Sequence, residues 1–436
     1  MTLLDLGEIQ APILLRRPTP YWGTMVLLHF ATASAGKAFV RQVLPHVPSA
    51  ADADSGQAWV SLVLTHAGLR ALGVDEADLA SFPAAFREGM AARADKLSDV
   101  GDSDPEHWDQ PWGTGRTHAA VSLVAATEQA WREAYAKAAA VVDGIEGVEL
   151  LHSHDYSAHL DSRTTFGYRD GIGYPHIEGG PRPKLPGQQT IAAGEFVLGY
   201  PGEGGALLPL PGPEILGRNG TFVGVRKVRT DVAAFRRFLR DNAPDEAGRE
   251  LLAAKMVGRW RSGAPLALAP DRDDPALADD FERNDAFDYS DDARGLLCPH
   301  GAHIRRVNPR ASGLERLTDV KLHRIIRQGA TFGPPLPEGV FDDDGEQRGV
   351  YFLFMSARAM TTLEFLKTEW LDQGSFIGLG EEGDPIAGRH LRDDTFTVPH
   401  HPVRRRLHGL SSFTRTRGGE YGFMPSLSAL DWLSRP

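Results

Sequence analysis

Apolar runs of strand length, spaced by stretches of helical composition, constrain this chain more than any other feature of its sequence. Residues 24–30 and 59–64 (Trp59-Val60-Ser61-Leu62-Val63-Leu64) read as strands, with a helix over 36–44 between them. Residues 119–126 form a third apolar run. Residues 128–142, rich in Ala, Glu and Lys, have helical composition, and 148–152 closes the series as a strand. That order is the order of a ferredoxin-like α+β unit carrying insertions. A second series begins near 221, with a strand over 221–228, a helix over 231–240 opened by Thr230 and Asp231, and a further helix over 246–260. A very apolar strand over 349–355 and a helix over 360–371 follow. The expected fold is α+β. An N-terminal unit over 1–190 is followed by a Gly/Pro-rich connection over 191–220 and a C-terminal unit over 221–436. No residue-level repeat relates the two.

Charge and cysteine count narrow the function. The net charge is −11, and an acidic surface repels phosphate backbones, so no nucleic-acid partner is expected. The single cysteine, Cys298, excludes an internal disulfide and fits a reducing cytoplasm. No stretch approaches the roughly 20 apolar residues of a membrane helix, so no membrane partner is expected. Arg16-Arg17, ahead of residues 24–30 and Ala33-Ser34-Ala35, loosely imitates a twin-arginine export signal. The apolar run is short, contains His29 and is preceded by Pro18 and Pro20, so a buried strand and a cytoplasmic protein are the expectation.

Gly378-Leu379-Gly380-Glu381-Glu382-Gly383 matches a dinucleotide fingerprint, but its two carboxylates would repel a pyrophosphate. Two other segments are more informative. In Gly167-Tyr168-Arg169-Asp170-Gly171 glycines flank an acid, which lets the backbone bend and bring a carboxylate to a ligand; spacing alone better suits an Asp capping a turn. Cys298-Pro299-His300-Gly301-Ala302-His303-Ile304-Arg305-Arg306 sets a His among small residues where a planar group can approach, with arginines able to hold carboxylates. The same segment is open to a structural role for His303, or to a metal site on Cys298, His300 and His303 that lacks an obvious fourth ligand.

These segments resemble landmarks of the dye-decolorizing peroxidases. Gly167-x-x-Asp170-Gly171 is similar to that family's GxxDG signature. The run from Cys298 to Arg310, with Ala302-His303-Ile304-Arg305 and Asn308-Pro309-Arg310, is similar to its proximal-histidine segment. Ile325-Ile326-Arg327-Gln328-Gly329 resembles the segment with the distal arginine, and 194–200 and 419–426 are similar to further landmarks, all in family order. The resemblance implies one of the longer subclasses. Its fold would be two ferredoxin-like units, of the dimeric α+β barrel type, enclosing a pocket for one non-covalent haem b. The absence of CxxCH agrees with non-covalent binding.

Carried over residue by residue, the resemblance makes His303 the axial iron ligand and Asp384 its acidic partner. Asp170 and Arg327 become the catalytic pair, Arg305 a partner of a haem propionate, and Leu353 and Phe354 candidates for the distal wall, of which strand alternation allows one. His300 and Gln328 depart from the family pattern. The implied activity is reduction of hydrogen peroxide with one-electron oxidation of small aromatic reductants such as dyes and phenols. The 8 Trp and 9 Tyr include candidates for relaying electrons, none of which stands out. The alternatives are a haem-binding protein for iron recovery and a metal-dependent hydrolase built on Cys298, His300 and His303, with His400 or His401.

Overall fold

A computed structural model describes residues 3–52, 58–157, 163–390 and 394–436, apart from the side chain at 315. Eight antiparallel strands make the principal sheet: β1 (Trp22–Phe30), β2 (Trp59–Leu64), β3 (Ala119–Ala125), β4 (Val148–Ser157), β5 (Thr221–Thr230), β6 (Ile326–Phe332), β7 (Gly349–Ser356) and β8 (Thr414–Met424). Their spatial order is β4-β1-β3-β2-β8-β5-β7-β6. The first four follow the order 4-1-3-2, and the last four follow it again when counted from β5. Each quartet is therefore the ferredoxin-like βαββαβ arrangement. Ala33–Val43 and Glu128–Asp143 are the crossover helices of the first; Val232–Asn242 and Met360–Phe365 lie at the equivalent points of the second.

The helix starts follow from local chemistry. Thr32, Thr127 and Asp231 each accept a hydrogen bond from a backbone N–H three residues on, satisfying an otherwise unpaired donor of the first turn. Beyond Met360–Phe365 the helix widens to π geometry over Leu366–Leu371, a departure that concentrates at functional sites.

The quartets meet along a thin seam, with one registered pair, Phe423 with Leu64. The side chain of Gln10 supplies what the ladder lacks. Its amide donates to Leu62 O (3.1 Å) and Pro425 O (2.8 Å), and its carbonyl accepts from Leu62 N (3.1 Å). At the far ends of the order, β4 and β6 come back against each other, so the sheet curls toward a barrel. The Tyr21 hydroxyl accepts from Thr331 N across this closure (2.9 Å), and His154 Nδ1 lies 2.7 Å from the Tyr351 hydroxyl.

Strand β8 is central, yet its sequence is glycine-rich. A Cβ at Gly418, Gly419 or Gly422 would stand 2.3, 2.2 or 2.1 Å from Trp112, Met90 or Val63, so close packing on the sheet demands glycine there. The expected connection over 191–220 includes a short helix, Glu214–Gly217, and Thr190–Ile191 beside it pairs in parallel with His176–Ile177.

Candidate active site

One sheet face of the second quartet forms a wall of a cavity of about 790 Å³. Alternate residues line it: Val228 and Thr230 on β5, Val350 and Phe352 on β7, Arg327 and Gly329 on β6, and Thr414 and Thr416 on β8. Val257, His303, Ile304, Val307, Leu363, Leu366 and Ile386, from the segments packed over that face, complete the enclosure. The volume lies in the range of about 300–1,000 Å³ typical of cofactor and ligand sites.

His303 opens the short helix His303–Val307. Its Nδ1 donates to Asp384 Oδ2 at 2.9 Å. The other carboxylate oxygen, Oδ1, accepts from Ile386 N and Ala387 N, both at 2.8 Å. Burial alone would push the fully enclosed Asp384 carboxyl up. The His303 imidazole, with help from Arg306, outweighs burial and holds it at about 2. Asp384 is thus an acceptor at both oxygens. It fixes the imidazole tautomer and leaves the Nε2 lone pair free on the cavity wall. Arg306, fully buried, secures the Asp384 loop by donating to Trp370 O, Gln373 O and Glu382 O.

Asp170 stands on the same cavity, in a loop whose Gly167 and Gly171 both have positive φ, +89° and +82°. Those left-handed residues let the loop turn the carboxylate inward. Arg327 Nη1 lies 3.9 Å from Asp170 Oδ1, and Arg327 Nη2 donates to Ile172 O. On the opposite carboxylate oxygen, Oδ2, Arg17 Nη2 lies at 3.5 Å. Burial favours the protonated acid, but Arg327 and then Arg17 outweigh it and hold Asp170 below the usual carboxylate range.

Four expected lining or binding residues therefore converge directly or through a partner: His303, Asp384, Asp170 and Arg327. Three others do not. Arg305 is consumed away from the cavity, donating to Asp292 Oδ2 (2.8 Å), Asp292 O (2.9 Å) and Cys298 O (2.6 Å) over the Tyr289 ring. Two residues along a helix is about 200° around its axis, so a side chain at 305 turns away from the wall that His303 faces. Leu353 points to the opposite face of β7, into the main hydrophobic core. Phe354 shares a face with Val350 and Phe352 but is buried over Gly224, beyond the cavity; those two residues supply the wall instead. His300 is not on the cavity, and Cys298 is buried, its thiol pushed up by burial to about 12. Among the described residues no three His, Cys, Asp or Glu side chains gather as a metal cluster, which leaves the hydrolase reading without a site.

Among the further arginines on the wall, Arg310 closes the Cys298–Arg310 run whose arginines the sequence offered as carboxylate partners, and Arg324 escaped sequence reasoning. Arg310 is engaged by Asp285, while Arg324 has Asn308 Oδ1 (3.2 Å) as its hydrogen-bond partner and, among the described residues, no carboxylate in ion-pair contact, Asp285 acting on it from farther off. Burial, then the neighbouring Arg310, lowers the Arg324 pKa to about 10. A half-buried guanidinium without an ion-pair partner, facing a cavity, suits an anionic group brought by a ligand.

Two antiparallel-sheet quartets, the second walling a cavity of cofactor size, define an α+β enzyme scaffold. No family model matches the chain. The dye-decolorizing peroxidase msp1 of Mycetinis scorodonius is 30% identical over 398 residues, 85% of this chain and 75% of that protein. AauDyP1, a dye-decolorizing peroxidase of Auricularia auricula-judae, is 34% identical over 290 residues, 61% and 55% of the two chains. Among solved structures, an ancestral D-type dye-decolorizing peroxidase matches with a TM-score of 0.86 and 27% identity, covering 100% of both chains. A dye-decolorizing peroxidase in complex with 2,6-dimethoxyphenol matches at 0.85 and 26% identity, covering 99% of this chain and 100% of that one. The chain belongs to the dye-decolorizing peroxidases, a family of haem-dependent oxidoreductases.

Proposed function

We propose that the cavity takes up one non-covalently held haem b, and that the protein reduces hydrogen peroxide at the expense of small aromatic reductants, dyes and phenols among them. The observation that carries this reading is the presence, on one cavity, of a carboxylate-anchored imidazole and a carboxylate bracketed by guanidiniums. His303 Nε2 would hold the iron, and Arg324 would receive an acidic side arm of the ring. When bound, that group would supply the redox chemistry of O–O cleavage and of one-electron exchange with the reductant.

Asp170 accepts the proton from the near oxygen of peroxide and returns it to the oxygen that departs as water. Arg327 stays protonated throughout and stabilises the negative charge that gathers on that departing oxygen. Asp384 keeps His303 Nδ1 protonated and the ring fixed, which makes Nε2 a stronger donor toward a metal. A carboxylate held below the usual range remains a base into mildly acidic pH, where a His base would be protonated. The division into units over 1–190 and 221–436 belongs to the same reading, as does a cytoplasmic setting, which suits the single buried Cys298. Among the described residues no helix is long and apolar enough to cross a membrane.

The test is an absorption spectrum of haem-supplied protein, followed by peroxide turnover with 2,6-dimethoxyphenol. The Soret band should survive His300→Ala and vanish in His303→Ala. Asp170→Asn should slow turnover by about 10²–10⁴-fold and Arg327→Leu by about 10²–10³-fold. Undiminished turnover in both catalytic variants would remove Asp170 and Arg327 from the chemistry and favour the haem-binding reading of the site.

A further inference from the structure

The pair Arg16-Arg17, which reads in the sequence as an imitation of an export signal, has a different place in the fold. The segment carrying it runs beside the edge strand β6, where Gln328 Nε2 donates to Pro12 O (2.9 Å) and Leu15 O (2.7 Å). That brings Arg17 inward, with its guanidinium 4.2 Å from the centre of the Tyr21 ring and Nη2 3.5 Å from Asp170 Oδ2. Tyr21 is itself fixed, because its hydroxyl accepts from Thr331 N on β6. Gly329, two residues earlier on that strand, leaves room for the carboxylate: a Cβ there would stand 3.3 Å from Asp170 Oδ2.

We infer that Arg17 is a positioning residue for Asp170, a second guanidinium that keeps the carboxylate charged and turned toward the cavity. The inference deepens the proposed function and rests on its assignment of Asp170 as proton carrier. Three elements meet at that carboxylate. The N-terminal segment brings Arg17, with the Tyr21 phenol behind it; β6 brings Arg327; and the acid's own loop brings the Gly171 N–H. Arg327 is the more exposed of the two guanidiniums, its side chain 43% accessible against 13% for Arg17. Arg327 is thus free to face a substrate, while Arg17 is enclosed and stacked on a ring held by β6. The division of labour follows from that contrast. Both guanidiniums support the resting charge of Asp170; Arg327 can also address the charge that develops on peroxide, whereas Arg17 serves the carboxylate alone. Arg17 also acts at close range in a poorly solvated place, where an opposite charge lowers a carboxylate pKa by about 1–3 pH units.

The experiment compares Arg17→Gln, Arg17→Lys and the wild type in the haem-loaded enzyme, reading kcat/KM for peroxide against pH with a phenolic reductant. Arg17→Gln should move the acid limb upward by about one pH unit, and Arg17→Lys, which retains the charge, should bring it back toward the wild-type position. A limb that stays put in Arg17→Gln, or rates that fall equally at every pH in both variants, would overturn the inference. A second reading uses the haem-free chain and no activity at all. The unfolding midpoints at pH 7 of Arg17→Gln, Asp170→Asn and the double variant should be non-additive, the second substitution costing less once the first is made. Additive midpoints would count equally against the pair. Should Arg17→Gln fail to fold, Tyr21→Leu, which removes the ring beneath the guanidinium but keeps both charges, should shift the limb in the same direction by a smaller amount; no shift would overturn the inference. If peroxide turnover proved indifferent to Asp170→Asn, the assignment of the proton carrier would fall, while coupling in the haem-free chain would still report on the Arg17–Asp170 contact.

Discussion

Replacing Asp384 by Asn tests the anchoring of the imidazole without invoking any bound group. Asp384 is fully buried and accepts on both oxygens, from His303 Nδ1 on one and from Ile386 N and Ala387 N on the other. An amide has one acceptor oxygen, so in Asp384→Asn an NH2 group must face either the imidazole N–H or the two backbone N–H groups, donor against donor. The carboxyl is lowered from 3.8 to about 2, which at about 1.4 kcal/mol per pH unit is on the order of 2 kcal/mol of native-state stabilisation at neutral pH. Because the folded value lies below the unfolded one, that contribution is present above about 3.8 and fades as pH falls toward 2. For a chain of 436 residues, at about 2.1 cal/mol/K per residue, the loss lowers the unfolding midpoint by about 2–3 °C. The assay is thermal unfolding of the haem-free wild type and variant between pH 3 and 7. A midpoint unchanged at pH 7, or a difference of constant size down to pH 3, would refute the reasoning.

Two further outcomes are expected. Arg324→Ala should weaken haem uptake by about 10–100-fold, the worth of one or two charge-assisted hydrogen bonds, measured by titrating haem into the haem-free chain and following the Soret band. Glu420 is buried on β8 and accepts from Gly113 N, and burial raises its carboxyl to about 7. A group raised above its unfolded value stabilises fully below about 4.5 and loses that contribution as pH rises through 7. Glu420→Gln should therefore flatten the decline in unfolding midpoint between pH 5 and 8, by up to about 3 kcal/mol at the alkaline end; an unaltered decline would count against it.

What could be read from the sequence was whatever depended on local pattern. The apolar runs at β1, β2, β3 and β7 were legible because those strands are buried and unbroken, and His303 and Asp384 were found through motif context. Strand β8 was not, because Gly418, Gly419 and Gly422 answer to Trp112, Met90 and Val63, residues far away in sequence. Strand β6 was hidden for a related reason. Its Arg-Gln-Gly run serves Asp170 and the N-terminal segment rather than a hydrophobic face. Proximity in sequence also misled: Arg305, two residues after His303, turns away, whereas Arg324 reaches the cavity from a separate turn. Arg17 carried no signal of its own, since its meaning comes from the carboxylate it meets 153 positions later.

The stretch from Gln10 to Arg17 has a consequence for anyone handling the protein. The Gln10 amide stands in for a missing rung between the two quartets, Gln328 ties Pro12 and Leu15 to the edge strand, and Arg17 reaches the acid loop. Trimming or proteolytic nicking within those few residues would loosen the halves and slacken the proton-handling group together. The last helix, Leu427–Ser434, is tied to the residues just ahead of that stretch, Leu427 N and Ser428 N donating to Glu8 O and Glu8 Oε2, so the same seam also anchors it.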